Sequence, residues 1–120
     1  MASGTIPKHI AGWELLWTNT SPTASFPAKT IITGDFSDYK VFLVRFKYGV
    51  NSAAERKPFL CFANQTVSAQ EPNVGSSSFS GVSRDFTFSA SSISCTLASL
   101  ETTSNTSSNY FIPLYIYGMK

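Results

Sequence analysis

Few side chains in this sequence could do chemistry, and they are scattered. There is one histidine, His9, two cysteines, Cys61 and Cys95, and seven carboxylates: Glu14, Asp35, Asp38, Glu55, Glu71, Asp85 and Glu101. A Ser-His-Asp site needs a base oriented by a third group. The only candidate base lies in a small, polar stretch with Pro7 and no periodicity. Glycoside hydrolysis needs two carboxyl groups facing each other across the bond to be cleaved. Most of the carboxylates here stand in turn or loop sequences, where a solvated acid is the ordinary role. Two cysteines and one histidine without ligand spacing do not make a metal site. The chain therefore reads as a non-enzyme, with no catalytic residue, metal or cofactor. The cysteines sit inside strand-like runs, as buried free thiols or as a disulfide between neighbouring strands.

Binding chemistry has more material. Trp13, Trp17, Tyr39, Tyr48, Tyr110, Tyr115 and Tyr117 could offer rings to a sugar. Core packing competes for them, most strongly for the tryptophans. Two stretches read as loops, 64–81 and 101–109. They supply Asn64, Gln65, Asn73, Ser77, Asn105 and Asn109 as candidate surface-binding residues, because binding groups sit on loops held by a rigid scaffold. His9, Tyr110, Tyr115 and Tyr117 are candidate assembly contacts. Asn-x-Ser/Thr triplets begin at Asn19, Asn64 and Asn105. They are expected by chance where Ser and Thr make up about a quarter of the residues, and carry no implication of glycosylation.

The elements that would position these groups centre on Tyr39–Tyr48, the longest apolar run. Read with period two, Phe42, Val44, Phe46 and Tyr48 share one face, and Val41, Leu43, Arg45 and Lys47 the other. The second face starts apolar and ends cationic, so it should reach water as a central strand proceeds. Trp13, Leu15 and Trp17 alternate onto one face of a first strand, and Lys29–Thr33 is a short one. Residues 49–57 form a hairpin loop with Glu55–Lys57 at its tip. Pro58–Ala63 is a strand apolar on both faces, hence buried twice over or an edge packed on another copy. Arg84–Phe88 and Ser92–Leu97 make a hairpin through Ser89–Ser91, with Ile93, Cys95 and Leu97 inward. Arg84 and Asp85 read as exposed strand residues or as a cross-strand ion pair. Tyr110–Gly118 is the last strand, with Pro113 at a bulge or an edge.

At 120 residues the chain is one domain, long enough to bury about two-thirds of its unfolded surface. The expected layout is an arm over 1–12 and one β-sandwich over 13–120. Charged residues are few (13%) and aromatics many (14%), which suits exposed strand faces covered by hydroxyls. The expected class is all-β: an antiparallel sandwich, jelly-roll-like, with about seven short strands and no substantial helix. A net charge of +2 without a basic block argues against nucleic acid. No apolar run approaches the ~18 residues of a membrane span, and no basic segment leads into an apolar one.

Three stretches carry a resemblance. They are Gly12–Phe26 with Asp35-Phe36-Ser37-Asp38-Tyr39, the segment Ser83–Ser89 with its Ser-rich turn, and the ending Asn109–Lys120. Together they resemble small virion proteins, and C-terminal tip domains of tail or fibre proteins, from phages and prophages of gut Firmicutes. The resemblance implies a structural protein displayed on the virion after assembly in the host cytoplasm, commonly as a homotrimer. Its partners would be other capsid or tail proteins and a host surface glycan. In the larger relatives this module ends a longer polypeptide. A copy that starts at its own Met1 is expected to be a receptor-binding tip, or a decoration or head-spike protein seated on the capsid. A carbohydrate-binding module is the remaining expectation.

Overall fold

The computed structural model describes residues 9–10, 12–51, 55–74, 79–100 and 106–120. Among them no helix forms, and eleven strands stand where about seven were expected. They are β1 (His9–Ile10), β2 (Trp13–Thr18), β3 (Lys29–Thr33), β4 (Val41–Gly49), β5 (Phe59–Phe62), β6 (Gln65–Val74), β7 (Phe79–Phe88), β8 (Ser92–Cys95), β9 (Ala98–Leu100), β10 (Thr106–Ser107) and β11 (Tyr110–Met119). A five-stranded antiparallel sheet has the order β1-β2-β11-β4-β5. The second sheet runs β10-β9-β7-β8-β3, with β6 on the other side of β7.

The β4 alternation is as expected: Phe42, Val44 and Phe46 are buried between the sheets. Phe42 stacks on Phe88 of the facing sheet with centroids 4.9 Å apart, and Phe59 meets Phe86 at 5.4 Å. The cationic end of β4 departs from expectation. Lys47 is buried, and its Nζ donates to the Val50 carbonyl at 3.2 Å, so this side of β4 does not open to water there. Pro113 is buried in β11, and the register against β4 shifts between Pro113 and Tyr115, a bulge within a central strand.

Of the stretch 64–81, read as irregular, 65–74 and 79–81 are strand. β6 pairs with β7 over ten residues, from Gln65 opposite Phe88 to Val74 opposite Phe79. Asn64 stands in the turn before it with φ 63°, a conformation Asn tolerates. The hairpin through Ser89–Ser91 is present, closed by Ser89 N donating to the Ser92 carbonyl at 2.9 Å.

Two further bulges redirect faces. Ile116 pairs with Trp17 but Tyr117 with Leu15, which makes Leu16 the extra residue. Trp17 therefore packs edge-on against Phe26 in the core (5.8 Å), and Trp13 and Leu15 do not share its face. β8 and β9 lie in line along one side of β7, and the register slips by one between Cys95 opposite Phe86 and Ser99 opposite Ser83. The slip moves the buried parity from Ile93 and Cys95 to Ala98, leaving Leu97 half-buried.

Arg84 fills this bulge. It is buried and makes no ion pair with Asp85. Its guanidinium donates to the carbonyls of Thr96 (2.7 Å), Tyr110 (3.0 Å), Pro27 (3.1 Å) and Phe26. The inward alternation of Phe86 and Phe88 carries Arg84 with them. Asp85 points the other way and accepts from Ser68 Oγ.

Candidate functional site

The two outer sheet surfaces differ in kind. On the six-stranded sheet the outward positions form a carpet of hydroxyl and polar groups. Thr66 lies opposite Thr87, Ser68 opposite Asp85, Gln70 opposite Ser83, and Thr87 opposite Ser94. Thr66 and Thr87 share a hydrogen bond of 2.9 Å between their hydroxyls. This is the hydroxylated solvent face that the composition suggested.

The outward face of the five-stranded sheet is apolar. Phe62 lies opposite Val41, Leu60 opposite Leu43, Leu43 opposite Tyr117, and Tyr117 opposite Leu15. Leu60 is 55% and Phe62 61% exposed. Trp13, Leu15, Val41, Leu43, Tyr115 and Met119 are half-buried, and none belongs to the cluster packed between the sheets. Among the described residues, the charges on this side are held in place: Lys47 is buried, and Arg45 is paired with Glu55. Arg45 donates Nε and Nη2 to Glu55 at 2.7 and 2.8 Å and Nη1 to Tyr117 Oη at 3.3 Å, with its guanidinium 5.0 Å from the Tyr115 ring centre. The Glu55 hydrogen bonds raise the Arg45 pKa further above its ordinary value.

At the opposite end of β4 a cleft of about 280 Å³ opens between the strand ends, lined by Tyr48, Gly49, Val50, Asn51, Asn109 and Tyr110. The Tyr48 and Tyr110 rings meet edge-to-face at 5.4 Å, and Phe111 buttresses Tyr48 at 5.7 Å. Phe111 is fully buried with φ 51°, a costly conformation for a bulky residue. Val50 N donates to the Asn109 carbonyl at 3.1 Å, and Asn109 N to Ser107 Oγ at 3.1 Å, so the rim backbone is tied down. A second, more polar cleft of about 220 Å³ lies along Trp17–Ser21 and Ser25–Lys29. There the Asn19 amide is already spent on the Pro113 carbonyl at 2.9 Å.

Of the candidate surface-binding residues, Asn109 lines the first cleft and Asn64 is exposed in its turn. Gln65 and Asn73 are strand residues of β6, not loop residues, and Ser77 and Asn105 lie outside the described residues. Among the assembly candidates, Tyr115 lies half-buried on the apolar face. Tyr117 lies on the same face but is fully covered by its own chain, and Tyr110 belongs to the cleft. His9 is placed by its backbone alone, opposite Glu14 at the sheet edge, and the rest of the arm, 1–8 and 11, lies outside the described residues. Leu60, Phe62 and Asn51 were not singled out in sequence. For the first two the signal was the two-faced apolar run Phe59–Phe62.

The remaining reactive groups are occupied by structure. Cys61 and Cys95 are buried free thiols, and burial pushes Cys61 up to about 11. Burial also raises Cys95, opposed in part by the Arg84 guanidinium. Glu14 accepts the Tyr39 hydroxyl, which holds the phenol up at about 12. Asp35 accepts from the Ser37 hydroxyl and amide, and its carboxyl is lowered by them. No group of three or more metal-ligating side chains occurs among the described residues, and no helix there is long and apolar enough to cross a membrane. Comparison with protein-family models, with curated proteins and with solved structures finds no match to this chain.

Proposed function

We propose that this chain is a non-enzymatic structural protein of a phage virion, working as a homotrimeric tail or fibre tip that touches the host surface. The observation that carries the reading is the asymmetry of the two outer faces. One is hydroxylated and suited to water; the other is a band of Trp, Leu, Val, Phe, Tyr and Met spread over four strands. A contiguous exposed apolar patch on a small domain marks an interaction surface. Arg45 on this face is neutralised within the chain by Glu55, and Lys47 on the same side of β4 is buried. Like copies can therefore meet there without repulsion, as closed symmetry requires of a shared interface. The sequence resemblance supplies the virion setting. The engagement of Glu14, Asp35, Glu55 and Asp85 in local hydrogen bonds supports a structural role over a catalytic one.

A capsid decoration or head spike is the second reading. It is favoured by the edge position of β1, paired only with β2, the strand that carries Trp13 and Leu15 of the apolar face. Antibody raised against the chain and coupled to gold, viewed on phage particles by electron microscopy, tests both. Label at the tail extremity is the expected outcome. Label over the head would replace the tip assignment with the decoration, and unlabelled particles would overturn the virion reading.

A further inference from the structure

We infer that the cleft between the ends of β4 and β11 is a binding site for an uncharged sugar residue. The inference deepens the reading of a host-contacting tip and rests on that reading for its biological setting. A pyranose ring has an apolar C–H face and a rim of hydroxyls that both donate and accept hydrogen bonds. Its site needs an aromatic wall and neutral groups able to do both. Tyr110 provides the wall, held edge-to-face by Tyr48, which is itself backed by Phe111 and covered by Arg56. Asn51 and Asn109 provide the neutral groups, since each amide carries two donors and an acceptor. Both side chains are exposed, and neither amide makes a hydrogen bond to another described residue.

Among the described residues, none that lines the cleft is charged. Two cations beside lining residues are engaged: Lys47 Nζ with the Val50 carbonyl, and the Arg56 guanidinium over the Tyr48 ring at 5.2 Å. At about 280 Å³ the cleft sits at the small end of ligand sites, which run to about 300–1,000 Å³. That suits one sugar ring and not an extended peptide. The anchored rim and the left-handed backbone at Phe111 preset this geometry, as strained residues do where ligands bind.

The test is saturation-transfer NMR on the full chain, with methyl glycosides of neutral hexoses and N-acetylhexosamines and a uronic acid glycoside for comparison. At least one neutral glycoside should show transfer, with a Kd on the order of millimolar. The pair Asn51→Ala and Asn109→Ala should weaken it about tenfold or more, with the circular dichroism and the solution mass unchanged. Absence of transfer from every neutral glycoside overturns the inference, and so does transfer that survives the double variant. Tighter, salt-sensitive binding of the uronic acid overturns the uncharged class. Both asparagines lie off the apolar sheet face. Failure of sugar binding with the assembly intact therefore removes only this site, and loss of the assembly with binding intact removes only the trimer.

Discussion

Arg84 is the residue on which the interior depends most. It is a buried cation whose partners are backbone carbonyls from three separate segments: Phe26 and Pro27, Thr96 in the bulge, and Tyr110 of the facing sheet. Burial pulls its pKa below the ordinary value, and the Cys95 sulfur offsets part of that cost. A planar fork with five donors can serve divergent acceptors at once, which an ammonium cannot. Arg84→Ala would leave those carbonyls without their donor, and each buried polar group left unpaired costs about 1–3 kcal/mol. The expected loss is on the order of 3–5 kcal/mol in urea unfolding, with Arg84→Lys recovering only part of it. A loss under about 1 kcal/mol would contradict this role. In sequence Arg84 reads as exposed or ion-paired with Asp85; its burial follows from the parity it shares with Phe86 and Phe88, which the charge masked. Its partners were not legible either, since they lie in segments that only the fold brings together.

At the scale of elements, bulges decide which side chains reach which face. The extra residue at Leu16 turns Trp17 into the core and leaves Trp13 and Leu15 outside. Nothing in the run Trp13–Thr18 announces that insertion, so unbroken alternation was the natural expectation. The Pro113 bulge was legible because proline cannot donate to a ladder. The long β6–β7 hairpin was not. Its apolar positions Val67 and Ala69 are small, and much of the order of β6 comes from its pairing with β7. By contrast the period-two pattern of Phe42, Val44 and Phe46 was enough to place β4 inside a sheet, paired on both sides.

Close packing over β11 gives a prediction at this scale. A Cβ at Gly118 would stand 2.6 Å from Tyr39 Cδ1 and 2.8 Å from Leu16 Cδ1. By strand propensity Gly118→Ala should help slightly. Here it must displace two packed side chains, and should destabilise by about 1–3 kcal/mol. A thermal melt of the variant checks the sign, and an unchanged or raised Tm would contradict it.

For the whole molecule, the contrast between the two outer surfaces is the feature to be explained. The composition pointed to hydroxyl-covered faces, and one sheet has such a face. The apolar surplus was legible as a total, in ten phenylalanines among 120 residues, but not by location. Its location depends on register, which sets Leu60 and Phe62 beside Leu43 and Val41 on the side away from the core. β5 is also an edge strand, and among the described residues no strand covers its outer edge. Natural sheets blunt exposed apolar edges or pair them. Association through this face would cover both the band and its rim.

The most direct test of that claim is the solution mass by light scattering over about a hundred-fold dilution, because assembly must respond to concentration by mass action. The wild-type chain should hold at three times its 13.1 kDa. The pair Leu60→Asp and Phe62→Asp, at positions already more than half exposed, should fall to monomer while keeping its β-sheet circular dichroism. A wild-type chain that is monomeric throughout, or a double variant that stays trimeric, would contradict the assembly role of this face.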